Sequence, residues 1–317
     1  TQCNVIQSID ITSKGVAGAA PQFPRTLFAR YMQKSVAWYS YVLNSAVEAG
    51  SDLAITGPYF DNAGIRMDAT NLSDVDSAVS TWDCNASYGC SPEQTRAPGV
   101  VGSGPGSALW HYPAASISFG GMTSSFSSLK SDAQSGGGLY FPALSGNANQ
   151  RGYHFVFLSN GTVNVYQVTS TTNVPSITTS PLGADLPTYA NSYCYQGYCY
   201  VGNEYSLINA QTYVGNYAVP SSCSLIFVND RAWVEGVVKG KVTLVAADTT
   251  NSNNYPDIFI SNNITYPAYD GTNGLTLIAS GDILLTLTAP SAMELHGIFV
   301  SVNGSFGRNF YTTDSAD

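Results

Sequence analysis

The chain has 317 residues, with 12 basic and 21 acidic side chains and a formal net charge of −9. Charged residues make up 10% of it, well below the roughly 25% that is usual in soluble domains. Nucleic-acid binding and adsorption to an anionic membrane need clustered Lys and Arg, and because no such cluster occurs we exclude both. Ser, Thr, Asn, Gly and Tyr take the place of charge, and they favour sheets and tight turns. We therefore expect a mainly β protein.

Residues 1–50 are predicted to form an N-terminal segment that is partly extended and partly helical. A short extended piece and a Gly/Ala/Pro linker open the chain, and the stretch from Pro24 to Gly50 is ambiguous. Its β-branched and aromatic content fits two strands, but a short helix is favoured for part of it. The positions at helical spacing are Leu27, Tyr31, Trp38, Val42 and Ala46.

Residues 51–317 are predicted to form a single domain, with an inserted excursion at about 71–218. Strand, turn and strand are expected over "SDLAITGPYFDNAGIRMD", and a short helix over "MTSSFSSLKSDAQ". The clearest hairpin is "GYHFVFLSNGTVNVYQVTS". Two alternating runs flank Asn160-Gly161 there, and this dipeptide suits a tight hairpin turn.

The sequence pattern is different in the region from about Ser224 to Asn309. Short β-branched runs such as "SLIFVND", "KVTLVAAD" and "DIFISNNITY" are broken by Asn, Asp or Gly, with no helical pattern between them. This pattern is typical of a β-solenoid (β-helix), in which short strands stack into parallel sheets and polar residues turn the corners. A β-sandwich has strands at similar spacing and is the alternative fold.

The six cysteines predict disulfides. Cys84 and Cys90 bracket a short turn-forming interval, as do Cys194 and Cys199, which leaves Cys3 and Cys223 as the third pair by elimination. A zinc site is the rival interpretation, but Cys-x₂-Cys spacing is absent and the histidines lie far from the cysteine pairs. Disulfides indicate an oxidising, extracytoplasmic compartment.

No catalytic motif stands out, so we expect no enzyme, metal or cofactor. The histidines show no His-x₃-His or His–Glu pattern, and two oxygen-rich stretches lack the spacing of a calcium loop. Carboxylates near the expected solenoid show no doublet that would pair a glycosidic acid with a base. The residues weighed are His111, His154, His296, Asp230, Glu235, Asp248, Asp257, Asp282 and Glu294. Glu235 is expected to pair with Lys239 or Lys241.

Tyrosine is the one residue type that hints at recognition, because it offers contact area at low entropic cost together with a hydroxyl. The chain has 21 tyrosines, densest between Tyr193 and Tyr205. A disulfide there would hold a recognition loop on a rigid tip, although ordinary packing of the rings explains the pattern as well. The candidate recognition residues are Tyr193, Tyr195, Tyr198 and Tyr200.

Several segments in order, from about Gly57 to Tyr311, together resemble a known family. The most specific are "FVNDRAWVEGVVKGKVTLVAA" and "VNGSFGRNFY". They resemble bacterial type IV pilus-associated, minor-pilin-like cell-surface proteins. The resemblance implies an anchoring helix, a large extracellular β-solenoid and no catalytic residues. The anchoring helix is absent from this chain, and we expect it just before Thr1.

The sequence thus predicts a non-enzymatic extracellular surface or appendage protein, a minor-pilin-like component or an adhesin. Its expected partners are other pilus or surface subunits and a host-cell or carbohydrate ligand, and it would meet a membrane only through the missing anchor. A secreted carbohydrate-active enzyme on a β-solenoid and a structural module of an envelope layer or filament are the alternatives.

Overall fold

This computed structural model describes residues 8–17, 20–32, 38–119, 126–178, 193–195, 198–251, 253–308 and 310–311, and it is mainly β. The first strands are β1 (Ser8–Ala17), β2 (Ala20–Met32), β3 (Tyr41–Leu43), β4 (Val47–Ala49), β5 (Tyr59–Asp61), β6 (Ile65–Met67), β7 (Val75–Ser77), β8 (Thr81–Cys84), β9 (Gln94–Pro98), β10 (Val100–Val101) and β11 (Trp110–His111). There follow α1 (Phe126–Ser135), β12 (Leu139–Phe141), β13 (Gly152–Phe157), β14 (Thr162–Thr178), β15 (Tyr193–Tyr195), β16 (Tyr198–Ala218), β17 (Leu225–Val228), β18 (Ala232–Val237), β19 (Lys241–Ala246), β20 (Ile258–Ile260), β21 (Ile264–Thr265), β22 (Gly274–Ala279), β23 (Ile283–Leu285), β24 (Ile298–Ser301), β25 (Phe306–Gly307) and β26 (Phe310–Tyr311).

The expected N-terminal helix is wrong for the described residues between 24 and 50, which contain β3, β4 and most of β2. β2 pairs with β1 as an antiparallel ribbon, while β3 and β4 join parallel sheets. Strand pairing therefore overrides the helical spacing, as expected for residues of high β-propensity. The ribbon leaves Ile9, Ile11 and Leu27 exposed.

Residues 41–111 build two parallel ladders. Ladder C consists of β3, β5, β7 and β11, and ladder D of β4, β6 and β10. Their core includes Tyr59, Ile65, Met67 and Val75, none more than 3% exposed. An antiparallel excursion, β8–β9, leaves this stack and carries the Cys84–Cys90 disulfide, with the two Cα atoms 5.7 Å apart.

Two further parallel ladders occupy residues 139–307, and the chain alternates between them. Ladder A runs in the order β12–β17–β19–β22–β24, and ladder B in the order β13–β18–β20–β23–β25. The register aligns Ile226, Leu244 and Leu277 across ladder A. This parallel pairing differs from the antiparallel layers of the β-sandwich alternative. No strand of ladders C and D is hydrogen-bonded to ladders A and B among the described residues.

Ladders A and B are covered on both faces. Ile226, Leu244 and Leu277 belong to the core shared by the two ladders, while Phe227 packs in a second cluster with helix α1. Trp233 of ladder B belongs to a third cluster, together with Val168 of β14. Strands buried on both faces need continuous apolar runs instead of alternation, which explains the four successive buried residues of β17. Helix α1 confirms the helix predicted from "MTSSFSSLKSDAQ".

Polar side chains turn the corners between ladders A and B and bond from one pass of the chain to the next. Asp257 accepts the backbone N–H of Asp282 at 2.9 Å, and Asp282 accepts that of Ser305 at 2.6 Å. Each of the three residues immediately precedes a strand of ladder B. Asn229, which follows β17, accepts the N–H and hydroxyl of Thr249. The corners therefore satisfy backbone donors along the stack.

The predicted hairpin at Asn160-Gly161 is confirmed, and it joins β13 to β14. Its turn closes through the Gly161 N–H to Leu158 O bond at 3.0 Å and the Leu158 N–H to Thr162 O bond at 2.9 Å. Only Gly161 has a positive φ there, 91°. The connection is therefore a three-residue loop with a glycine bulge instead of a two-residue turn.

Asp61, at the end of β5, is fully buried. One carboxylate oxygen accepts the Ala63 N–H at 2.8 Å, while Oδ2 has no hydrogen-bond partner within the described part of the chain. Burial raises the pKa of Asp61 from 3.8 to about 7. The folded chain therefore keeps a proton that the unfolded chain releases near pH 4.

Asp61→Asn is predicted to flatten the pH dependence of stability. The pKa of Asp61 is higher in the folded chain than in the unfolded chain. The contribution of protonated Asp61 to stability is therefore complete below about pH 4 and is lost as the pH rises to 7. Between about pH 4 and pH 7, the wild type should lose about 2–4 kcal/mol of its free energy of unfolding relative to Asp61→Asn. Urea unfolding at several pH values measures it; parallel curves for the two proteins would contradict the burial argument.

Candidate functional site

The most prominent feature outside the ladders is a long antiparallel ribbon, here called the arm, formed by β14 and β16. It is inserted between β13 and β17, and its pairing runs from Thr162 opposite Ala218 to Thr178 opposite Cys199. The 17 residues of β14 correspond to about 55 Å of strand. Short strand β26 pairs with Ser176 and Ile177 far along the arm.

The arm is held to ladder B through Arg231, which is 8% exposed, at a point nearer its tip than its Thr162/Ala218 end. Its guanidinium donates to the carbonyl oxygens of Asn149 at 2.8 Å and Tyr205 at 2.5 Å, and Tyr205 belongs to the arm. The indole N–H of Trp233 donates to the carbonyl of Ser206, also in the arm, at 2.5 Å. Arg231, which immediately precedes β18, and Trp233 within β18 therefore bind consecutive carbonyls of the arm.

Arg231 is also the positive centre of a buried charged group. Burial lowers its pKa, while the surrounding Asp257, Asp230 and Glu204 oppose that change. Burial raises the pKa of Asp257 to about 6. Asp230 lies 3.0 Å from Arg151 and accepts the backbone N–H of Arg231. Asp230 and Asp257, weighed as catalytic candidates from the sequence, thus surround Arg231, and Asp257 also holds a corner.

The tip of the arm brings the predicted cysteine pair into register. β15 and β16 are antiparallel, with Cys194 opposite Cys199, Tyr193 opposite Tyr200 and Tyr195 opposite Tyr198. The four tyrosine positions alternate with the two cysteine positions along the tip. The side chains of residues 175–203 lie outside the described residues, so the recognition role of these tyrosines stays a prediction.

Two of the predicted disulfides concern side chains that are not all described. Cys223 is disulfide-bonded, and it is fully buried beside Phe126 and Ala133 of α1. The pairing of Cys3 with Cys223 stays a prediction because Cys3 lies outside the described residues. The Cys84–Cys90 disulfide, which confirms that pair, indicates a non-cytoplasmic protein.

Each histidine lies beside a carboxylate, which the sequence analysis missed. His111 Nδ1 is 3.0 Å from Asp76, and His154 Nε2 is 3.1 Å from Glu235. Glu235 therefore pairs with His154 instead of the expected Lys239 or Lys241, and the bond from His154 lowers the Glu235 pKa. The first two pairs join residues far apart in sequence, so no local motif could reveal them.

The third pair lies within one strand-like segment and has a local signal. His296 Nε2 is 2.6 Å from Glu294 Oε1, and residues two apart in an extended chain share a face. The expectation that the sequence holds no His–Glu pair is wrong here. The bond from His296 lowers the pKa of Glu294, and the Tyr269 hydroxyl donates to the same oxygen at 3.2 Å.

The remaining sequence candidates serve turns. Asp248 accepts the N–H and hydroxyl of Thr250 at 2.8 and 2.6 Å, and Asp282 holds a corner as described above. Asp270 accepts the N–H of Thr272 at 3.0 Å. Such bonds are the usual role of Asp in loops. Within the described ranges, no group of three or more His, Cys, Asp or Glu side chains is placed to hold a metal ion.

Comparison with family models, with curated proteins and with solved structures finds no match to this chain. The described residues contain no helix of sufficient length and apolarity to cross a membrane. What the chain does must therefore be argued from the arm, the ladders and the side-chain clusters themselves.

Arg231→Ala is predicted to lower the free energy of unfolding by about 3–5 kcal/mol, because it removes the buried cation that faces Asp257 and Glu204. It also removes the bonds to the arm, so chymotrypsin should cut the arm faster than in the wild type. Arg25→Ala, an exposed arginine in β2, is the matched control and should change neither quantity. Unfolding and proteolysis unchanged in Arg231→Ala would show that the arm is held by other contacts.

A non-reducing chymotryptic map tests the cysteine pairing, because cleavage after Tyr88, Tyr195 and Tyr198 separates the cysteines of both local pairs. Peptides with Cys84 and Cys90 should stay linked, as should those with Cys194 and Cys199. Cys3 should be linked to Cys223. A link between the arm tip and Cys223 would refute this pairing.

Proposed function

We propose that ladders A and B wind as a β-solenoid and that the arm is an insertion growing from it. Three observations support this: the chain alternates between the ladders, every neighbouring pair within 225–307 is parallel, and equivalent corner residues bond from pass to pass. β18 also bends at Gly236, where φ is 108°, so that its end pairs with β21 instead of β20. Such a bend gives the coil a third side.

We further propose that the protein is a non-enzymatic, extracellular surface protein that recognises a partner through the arm. The observation that carries this proposal is the arm itself: a long paired ribbon, held to ladder B by buried Arg231 and Trp233, with tyrosine and cysteine positions alternating at its tip. A stiff support that carries an insertion can present it without disturbing its own core. This arrangement suits a surface component or adhesin.

A place in a type IV pilus is the narrower form of the proposal. It is supported only by the similarity of sequence segments to minor-pilin-like proteins. The partners would then be pilus or surface subunits, with a host-cell or carbohydrate ligand at the tip. The wider proposal does not depend on this kinship, because the anchored arm supports it separately.

Antibody fragments raised against residues 193–200 test the location, and they should label intact source cells without permeabilisation. Fluorescently labelled protein tests recognition: the wild type should bind the surface of source cells that lack their own copy. Binding should fall about tenfold or more in Tyr195→Ser/Tyr198→Ser, because aromatic side chains dominate contact energies. Tyr213→Ser, another tyrosine of β16 and 54% exposed, is the control.

Two results would contradict the proposal. Labelling that requires permeabilised cells would place the arm away from the surface. Equal binding by the wild type and the double variant would remove the tip from recognition. A loss in the control as large as that in the double variant would do the same.

A further inference from the structure

A cleft of about 480 Å³ lies at the start of three neighbouring strands of ladder A, β19, β22 and β24. Three consecutive passes of the chain line it, and they contribute Lys241, Thr243, Tyr266, Asn273, Thr276 and Gly297. Thr243 and Thr276 are register partners. Hydroxyl, amide and ammonium groups therefore line one concave surface, together with the ring of Tyr266.

Beside the cleft lies a cluster of three rings, from Tyr266, Tyr269 and His296. The centroid of the Tyr269 ring is 4.8 Å from that of His296 and 5.9 Å from that of Tyr266. Tyr269 is 63% exposed. Tyr269 is therefore an exposed ring that two neighbouring rings support.

Hydrogen bonds hold the rings of Tyr266 and Tyr269 in place. The Tyr269 hydroxyl donates to Glu294 at 3.2 Å, and Glu294 also contacts His296. The Tyr266 hydroxyl accepts the backbone N–H of Leu275 at 2.9 Å. The exposed face of Tyr269 is thus fixed in advance, which reduces the entropy lost when a ligand binds.

We infer that this cleft and the Tyr269 ring form a binding site for a neutral oligosaccharide. An apolar sugar face packs well on a fixed aromatic ring, while sugar hydroxyls need donors and acceptors of the kind that Thr243 and Thr276 provide. A strongly anionic ligand fits less well, since the exposed carboxylate of Glu294 lies beside the ring. The site is separate from the arm and does not rest on the function proposed for it.

Saturation-transfer NMR tests the site with three probes, maltotriose, cellotriose and N-acetylated chitotriose, at millimolar concentration. At least one should receive saturation from the wild type. Tyr269→Ala should weaken its binding by about tenfold or more, because it removes the exposed ring. Tyr269→Phe keeps the ring and loses only the bond to Glu294, so it should bind more tightly than Tyr269→Ala. Thr276→Tyr, at an outward-facing position, should abolish it by filling the cleft.

Tyr255→Ala is the matched control, because Tyr255 is 48% exposed and does not line the cleft; it should bind as the wild type does. Circular dichroism confirms that each variant is folded. No saturation transfer to any of the three probes would overturn the inference. So would unchanged binding in Tyr269→Ala or in Thr276→Tyr, because the site requires both the ring and the cleft.

Discussion

The structure of residues 139–307 depends on covering both faces of two parallel sheets. A parallel ladder cannot leave one face in water without exposing a continuous apolar surface. Here the ladders cover each other, α1 covers the outer face of ladder A, and the arm covers that of ladder B. Side chains such as Leu244, Phe227 and Trp233 are almost completely buried as a result. Burial of one aliphatic or Phe side chain stabilises the folded state by about 1.5–3 kcal/mol.

The arm therefore has two structural roles. It is part of the core, since Val168 packs with Trp233 and Phe259, and Arg231 binds its backbone. Its far end extends beyond β13, where pairing with the ladders stops. The same ribbon is thus both anchored and extended, and the buried guanidinium of Arg231 holds it to ladder B.

The sequence predicted the mainly β character, the hairpin at Gly161, α1 and the local Cys84–Cys90 pair, because each has a short-range signal. The sequence-based prediction failed at residues 24–50. Leu27 and Val42 have helical spacing there, but the composition also favours strands, and only long-range pairing decides between helix and strand. It also missed the His154–Glu235 pair and the cluster around Tyr269. Their members come from different passes of the chain, and their proximity depends on a register that composition does not encode.

That register is open to direct measurement by pairs of engineered cysteines on neighbouring strands. Thr243 and Thr276 face each other across β19 and β22, so Thr243→Cys/Thr276→Cys should form a disulfide on mild oxidation, since paired Cα atoms fall within bonding range. Thr243→Cys/Ile278→Cys, displaced by two residues, should stay reduced. Equal cross-linking of both pairs, or none in the first, would contradict the parallel ladders on which the account rests.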